Sequence, residues 1–592
     1  MSARTLILLS FFGSLLVLAA RPLQSEPAKS ADGRIKAAPF TLKDPRDDKV
    51  VSLADLKDRK AIVVVFLGTE CPVSNAFLPV LAAMHKDYST RGVAILGVNS
   101  NRQDTPERVA AHARKNALPF PVLKDVHNTV ADQLGARRTP EAIVLGPDGA
   151  ILYQGRIDDQ FGIGYSRAGK PMRRDLIAAL DEVLAGKAVS VAKTDTAGCL
   201  IGRVSKPKTE GAVTYTKQIS RIVQQHCQDC HRPGQVGPMP LLTYDDAVAW
   251  ADTIREVVAE QRMPPWHADP RFGKFSNDRS LPAADRDALL AWIDGGTPRG
   301  DDKDQPPPRP FVEGWQLGKP DQVFTMPKPF EVPTEVPPGG VSYQYFSVPT
   351  NFTEDRWVER AEVKPGAAAV IHHVLIFIVP KGEPFRQDGP GSVLCGMAPG
   401  DMPMNLQPGF AKKIPAGALL VFQMHYTPNG KTHIDQTSVG LIFAKDPPKH
   451  RVLAKPINPN TFITRQDKIP AGAEHYKIET EYTFTENAHL LTFMPHMHLR
   501  GKDFLYEATY PDGKTTTLLF VPRYQFGWQT LYRCAAPIPM PKGTKLHLVA
   551  HFDNSAKNPN NPDAKKDVFW GDQTWEEMMI GWIDYYLDEE KP

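Results

Sequence analysis

The chain has 592 residues, room for roughly four packed units at about 150 residues each. Hydrophobic residues make up 42% and charged residues 23%, which fits a globular protein with a real core and excludes a disordered chain. Lys plus Arg (70) nearly balances Asp plus Glu (67) with no basic block, which argues against a nucleic-acid binder and a polybasic membrane-surface protein. The N-terminus places one Arg ahead of an apolar run, Leu6–Ala20, the pattern of a secretory signal over residues 1–25. That run is short of the roughly twenty residues a spanning helix needs, and no later stretch is apolar enough to cross a bilayer. A periplasmic or secreted protein is expected, an uncleaved N-terminal anchor being the alternative, in a compartment where thiols oxidise and metals load.

Residues 38–190 alternate strand and helix patterns. Ala61–Gly68 is a continuous apolar run, as for a strand buried on both faces. It ends in Thr69-Glu70-Cys71-Pro72-Val73-Ser74, followed by a helical pattern over 76–88 and a second buried strand at 93–98. Thr139-Pro140 precedes a strand at 142–145, and Pro147-Asp148-Gly149 turns into another at 151–154. The strand–Cys–helix order and the Thr-Pro loop resemble the thioredoxin-like redoxins, which implies an α/β domain. A Cys at a helix N-terminus faces the positive end of the helix dipole, which favours thiolate. Ser74 stands where that family has its second Cys, and Cys71 lacks the threonine spacing of the peroxiredoxins. Three roles stay open for Cys71: a one-Cys redox centre, pairing with Cys199, or a retired site kept as a docking scaffold.

His226-Cys227-Gln228-Asp229-Cys230-His231 contains Cys-x-x-Cys-His. Two thiols one helical turn apart can form thioethers to haem vinyls, and the adjacent His231 then stands over the iron. A helical pattern over 217–225 leads into the motif and another, 283–295, closes the segment, resembling the small c-type cytochromes. A small all-α cytochrome c domain is expected over 212–300 with one covalent haem c. Its second ligand is Met263 (Arg262-Met263-Pro264-Pro265-Trp266), with Met239 and His267 as alternatives. No further Cys or His stands at zinc-ligand spacing. Residues 301–319, with Pro306-Pro307-Pro308, read as a semi-rigid linker.

From about 320 to 592 short alternating segments and turn dipeptides indicate an all-β region. Eleven of the seventeen His lie beyond residue 310. Residues two apart on a strand share a face, so His496 and His498 can grip one metal. Adjacent His372 and His373 can both ligate only at a bulge or strand end; otherwise one is a ligand and the other a structural His. For His475, His489, His547 and His551 the structural or surface role is expected. The ordered strings Ile371-His372-His373-Val374-Leu375-Ile376-Phe377, Gln423-Met424-His425-Tyr426, Met494-Pro495-His496-Met497-His498 and Glu577-Met578-Met579 resemble the copper type II ascorbate-dependent monooxygenases, the peptidylglycine α-hydroxylating and dopamine β-monooxygenase family. Ala398-Pro399-Gly400 ahead of Leu406–Phe410 fits the same resemblance.

That resemblance implies two jelly-roll-like sandwiches, 320–456 and 457–592, and two copper ions. His372, His373 and His425 would hold an electron-transfer copper, and His496, His498 and Met578 an oxygen-binding one, with Met579 the rival for Met578. Imidazole suits both copper oxidation states, while a thioether is soft and favours Cu(I). Met494, Ile580 and Trp582 replace the polar residues that bind a substrate carboxylate in the peptide-hydroxylating members, so a less charged organic substrate is expected with dioxygen. The electron donor would be an ascorbate-like reductant or a redox protein, relayed through the fused haem. Cys395 and Cys534 are left as a possible pair. The expected activity is a copper monooxygenase; the rivals are a redox relay or copper-handling protein without oxygenase turnover, and a thiol–disulfide oxidoreductase resting on Cys71.

Overall fold

A computed structural model describes residues 34–589, apart from 163–164, 167–170, 205–207, 209, 335–340, 387–390, 399–401 and 429–431. The expected signal segment and Pro399-Gly400 lie outside the described residues. Among the described residues no helix is long and apolar enough to cross a membrane.

The first unit is built on a seven-stranded sheet in the order Val50–Ser52, Thr41–Lys43, Val122–Lys124, Val93–Asn99, Ala61–Phe66, Glu141–Leu145, Ile151–Gly155. Ala61–Phe66 is buried at every position because helices cover both faces of the sheet, the condition that makes a continuous apolar run a strand. It runs parallel to Val93–Asn99 and antiparallel to Glu141–Leu145. The helix Pro72–Ser89 begins four residues earlier than its apolar periodicity indicates, with Cys71 as its N-cap and Pro72 at the first helical position, where a missing N–H costs nothing. Past the expected limit at residue 190, Cys199–Leu200 pairs with Arg138–Thr139, and the Gly202 carbonyl accepts the Arg102 N–H at 2.9 Å. The chain to residue 202 is thus stitched onto this α/β unit.

A helical unit follows. A wide turn at Tyr215–Ile219 continues as the α-helix Ser220–His226, and the helices Tyr244–Ala249, Ala251–Ala259 and Ala283–Asp294 pack around Trp292, Leu289 and Ile254. The proline-rich stretch after it is laid back along this unit: Gln224 donates to the Pro307 carbonyl, Arg309 pairs with Asp229, and Arg232 stacks over Phe311.

The remaining chain forms two pairs of packed sheets. In the first, the sheet Gln344–Pro349, Leu419–Tyr426, Ile371–Val379, Val393–Met397 faces one built around Arg356–Lys364 and Ser438–Phe443. They share a core of Phe324, Val358, Val374, Ile376 and Phe422. In the second, Leu453–Ile457, Met579–Leu587, Ala488–Met497, Tyr532–Met540 faces Tyr476–Thr483, Lys545–Phe552, Gly501–Thr509, Thr515–Val521. Leu453–Ile457 already belongs to the second pair, so the crossover precedes the expected 456/457 boundary by a few residues. The loop 261–278 leaves the helical unit and docks on the second pair, where Phe275 bridges to Cys534 and Trp266 packs edge-on against buried Tyr532.

Cys395 lies in the first of these cores and Cys534 in the second, and both are free thiols, so they do not staple the two halves.

Candidate metal centres and thiol site

The strands Ile371–Val379 and Leu419–Tyr426 are antiparallel, with His373 directly opposite His425. The register slips between Ile371 and His373, so His372 is the extra residue of a bulge. That bulge removes the alternation that would send adjacent His to opposite faces. The Nδ1 atoms of His372 and His373 come within 3.1 Å, and one nitrogen from each of His372, His373 and His425 lies within 4.8 Å of the others. His425 Nδ1 is buried without a hydrogen-bond partner, an expensive arrangement unless a cation takes its lone pair. Burial holds His372 and His373 far below the ordinary imidazole value and His425 at about 4, the neighbouring imidazoles adding to it. All three rings are therefore neutral donors at pH 7.

His496 and His498 sit at the end of Ala488–Met497. Pairing with Met579–Leu587 places His496 opposite Ile580 and Met497 opposite Met579. Met497 and Met579 both point into the second core. Met579 is thus taken up by the core, while Met578, just ahead of the strand and two residues from Ile580, the partner of His496, is the methionine left for the face that carries the two His. The ring orientations are fixed from behind. Gln529 Oε1 lies 2.6 Å from His496 Nδ1, and the Glu576 carbonyl 3.2 Å from His498 Nδ1, which leaves both Nε2 atoms for a ligand. Beneath them the fully buried Glu577 carboxylate accepts the His498 N–H at 2.8 Å and the Arg500 N–H at 2.7 Å. Burial pushes Glu577 up to about 7 against the opposing pull of Arg500 and these N–H groups.

The two imidazole sets meet across the junction of the sheet pairs. The His373 and His496 rings are 6.3 Å apart, and Phe526 lies flat on His372 at 4.6 Å while facing His498 edge-on at 5.8 Å. Tyr343 packs against His425 at 4.8 Å. Phe526, Gln529 and Tyr343 were not indicated by the motifs, since isolated Phe, Gln and Tyr carry no spacing signal; Glu577 stood in a motif string but its clamp on the His498 and Arg500 N–H groups was not indicated. A further group, His475, Asp503 and His551, gathers on the outer sheet, where Asp503 holds His551 Nδ1 at 2.6 Å and the two rings stack in parallel at 3.9 Å.

In the helical unit Cys227 and Cys230 follow the helix Ser220–His226, and His231 Nδ1 lies 3.1 Å from the Met239 carbonyl. This engages His231 Nδ1 and leaves its Nε2 for a ligand, while the Met239 side chain lies in the helical core. Burial, with Cys230 adding to it, pushes the Cys227 thiol up to about 12. Met263 is half-buried on the loop that docks on the second sheet pair; His267, four residues on, is buried, with Nε2 unpartnered, and burial brings it to about 4.

At the α/β unit Cys71 is 1% exposed and its sulfur donates to the Thr139 carbonyl at 3.0 Å, beside the cis Thr139-Pro140 bond. The Ser74 N–H points at that sulfur at 3.5 Å, and the Ser74 hydroxyl accepts from Gly68 N–H at 3.2 Å, so Ser74 supports the turn instead of supplying a thiol. Cys199 is the strand partner of Thr139 and makes a hydrogen-bond contact with Cys71.

Comparison with known proteins bears on this unit. Residues 34–154 match the model of the AhpC/TSA family. Thiol-disulfide oxidoreductase ResA of Halalkalibacterium halodurans is 28% identical over 117 residues, 20% of this chain and 64% of that protein. Peroxiredoxin Q, chloroplastic, of Sedum lineare is 28% identical over 120 residues, 19% of this chain and 62% of that protein. The chain spans less than two thirds of the length of these relatives. Among solved structures, the hypothetical protein SMc02350 from Sinorhizobium meliloti 1021 is 32% identical, covering 29% of this chain and 95% of that one with a TM-score of 0.27. The N-terminal α/β unit is a thioredoxin-like redoxin domain of the AhpC/TSA type, homologous to thiol-disulfide oxidoreductases.

Proposed function

We propose that the protein is an exported copper-dependent monooxygenase that hydroxylates a substrate C–H bond with dioxygen, its electrons supplied through a fused c-type haem. The observation that carries this reading is the convergence of His372, His373 and His425 on one point opposite His496 and His498, with Met578 on the latter pair's face. The residues fit the groups: three neutral imidazoles with an orphaned buried nitrogen for one copper, two oriented imidazoles and a soft thioether for the other. Cys227, Cys230 and His231, with its Nδ1 already engaged, suit a covalent haem c, and Met263, or else Met239 or His267, would supply the second ligand. When bound, the two coppers would supply dioxygen reduction and the haem a one-electron store.

The chain's own residues do the rest. Gln529 and the Glu576 carbonyl hold the His496 and His498 rings at fixed angles, and Glu577 locks the backbone between them. Phe526 lies between one imidazole of each set, flat on His372 and edge-on to His498. Met494, Ile580 and Trp582 extend the His496/His498 face as an apolar row, since Met494 pairs with Trp582 and His496 with Ile580. That row carries no cation of its own to pair a carboxylate, so a weakly charged organic substrate fits best. The loop 261–278, bearing Met263 and His267, is fastened through Trp266 to Tyr532, which pairs with Phe493 three residues before His496. The haem-binding segment and the His496 strand are thereby held in one packed structure.

The test is metal analysis with oxygen uptake on the purified chain supplied with a reductant. Two coppers and one haem per chain are expected, with substrate-dependent oxygen consumption that falls at least 100-fold in Met578→Ala. Uptake unchanged in that variant refutes the assignment. The redoxin domain's relation to thiol-disulfide oxidoreductases favours a second reading, a periplasmic redox relay or copper-handling protein with a docking domain; it predicts at most one labile copper and no turnover.

A further inference from the structure

Cys71 has lost the neighbouring thiol of a Cys-x-x-Cys pair, yet the structure supplies another from outside the sheet. Cys199 lies beyond the last helix of the redoxin domain, on a two-residue strand whose register sets it against Thr139, the residue whose carbonyl takes the Cys71 S–H. The Cys71 sulfur and the Cys199 backbone thus meet at one residue of the Thr-Pro loop, and Cys199 packs on the core that contains Cys71. The approach is specific. Gly198 has φ +140°, and a Cβ there would sit 2.0 Å from the Thr139 oxygen, so only glycine lets this segment come so near. The Gly198 carbonyl also accepts from Arg138, whose guanidinium pairs with Glu256 on the helix Ala251–Ala259, and Glu256 in turn holds Arg262.

We infer that Cys71 and Cys199 form a non-local dithiol/disulfide couple, oxidised by a low-molecular-weight or exposed protein disulfide, whose closure fastens the inter-domain strand over the redoxin helix N-terminus. The two thiols sit in a setting suited to this. Burial pushes Cys71 up, but Cys199, the Thr139 side chain and the Ser74 and Cys199 N–H groups outweigh it and bring it to about 6, while the same contact and burial push Cys199 far above an ordinary thiol. The pair holds one proton between two sulfurs, and Cys71 can take it from Cys199, the less buried of the two, as Cys199 attacks. The Cys199 thiolate attacks one sulfur of the external disulfide, the S–S bond breaks, and the first thiolate leaves and takes up a proton. Cys71 then attacks the Cys199 sulfur, forming the internal disulfide and expelling the second thiol. Two electrons pass from the chain's two sulfurs to the external disulfide, which ends as two thiols. None of this depends on copper or haem, so its failure leaves the monooxygenase reading untouched, and the reverse.

The experiment equilibrates the full-length chain with graded ratios of oxidised to reduced glutathione, blocks free thiols, and identifies linked tryptic peptides. The expected result is loss of two thiols together in one transition, with a Cys71–Cys199 linked peptide. In folded Cys199→Ser the linked peptide vanishes and Cys71 is left reduced or as a glutathione adduct. Thiolate absorbance provides a second readout: the reduced chain titrates near pH 6, and Cys199→Ala moves that midpoint upward because the main lowering contact is gone. Independent alkylation of Cys71 and Cys199 at ratios that oxidise exposed dithiols, or linkage of either to another Cys, overturns the inference.

Discussion

Glu577 shows how much a single side chain can do without touching a ligand. Its two oxygens accept the N–H groups of His498 and Arg500, and the Arg500 guanidinium lies 3.9 Å away while donating to the Trp575 carbonyl and Asn554. Contacts that hold a metal-binding His in place from behind matter to affinity, and losing one typically lowers it by about 10- to 100-fold. Glu577→Gln keeps the volume but turns an amide N–H₂ toward a backbone N–H. Copper affinity at His496/His498 is expected to drop within that range, with a lowered Tm, while the His372/His373/His425 set keeps its affinity; competition with a chromophoric Cu(I) chelator reads both. Cys71 carries a pH signature of its own. Its folded value of about 6 lies below the ordinary thiol value of 9.0, so its contribution to stability is present above pH 9 and is lost as the pH falls through 6. Relative to Cys71→Ser, the reduced protein should therefore gain stability between pH 6 and 9 in urea titrations, and a flat difference over that interval contradicts the assignment.

At the scale of elements, the parts with strong periodicity or a motif were legible and those resting on register were not. The buried run at Ala61–Phe66, the Cys-x-x-Cys-His string and the His-x-His pair all announce themselves in sequence, because each demands particular residues at fixed spacing. The His372 bulge does not: nothing in Ile371-His372-His373-Val374 marks the slipped register, which is set by how Leu419–Tyr426 pairs across it. Pairing with Cys199 was legible only as one of three open roles for Cys71, since a two-residue strand has no periodicity. The limit of the redoxin unit fell short for the same reason. Gly581 belongs to this scale too. It sits between Ile580 and Trp582 on Met579–Leu587, and a Cβ there would come 1.9 Å from Leu548 Cδ2 and 3.2 Å from the Tyr506 hydroxyl, both in the facing sheet and fully buried. Gly581→Ala must push the sheets apart or force Leu548 off its rotamer, at about 1–3 kcal/mol. Chemical denaturation should show that loss, and a change under 0.5 kcal/mol, within the ordinary range for a surface site, means the sheets have slack there.

The whole molecule depends on how the two sheet pairs are held together, because the imidazole sets face each other only across that junction. Phe377, Val379, Val393, Val421 and Ala454 make an apolar patch there with Trp582, and one ion pair is set beside it. Lys412, from the strand Phe410–Ile414 of the first pair, reaches Asp584 of the second at 3.1 Å and the Val393 carbonyl at 3.3 Å, with side chains 5% and 16% exposed. An apolar patch slides at little cost, whereas a buried charge pair is satisfied in one alignment only, so the pair specifies register more than it adds net stability. Removing one partner leaves the other charge buried and unpaired, a loss of about 3–5 kcal/mol. Lys412→Met and Asp584→Leu should each destabilise the protein on that scale. The double variant should recover most of the loss, since no lone charge remains and the apolar patch is extended. What the double variant cannot restore is alignment: His373 and His496 should no longer be held 6.3 Å apart, and a disulfide engineered between the two sheet pairs beside them should form more slowly than in the parent chain. If the double variant is instead destabilised by the sum of the singles and cross-links at the parent rate, the apolar contacts alone set the register and Lys412–Asp584 is a bystander.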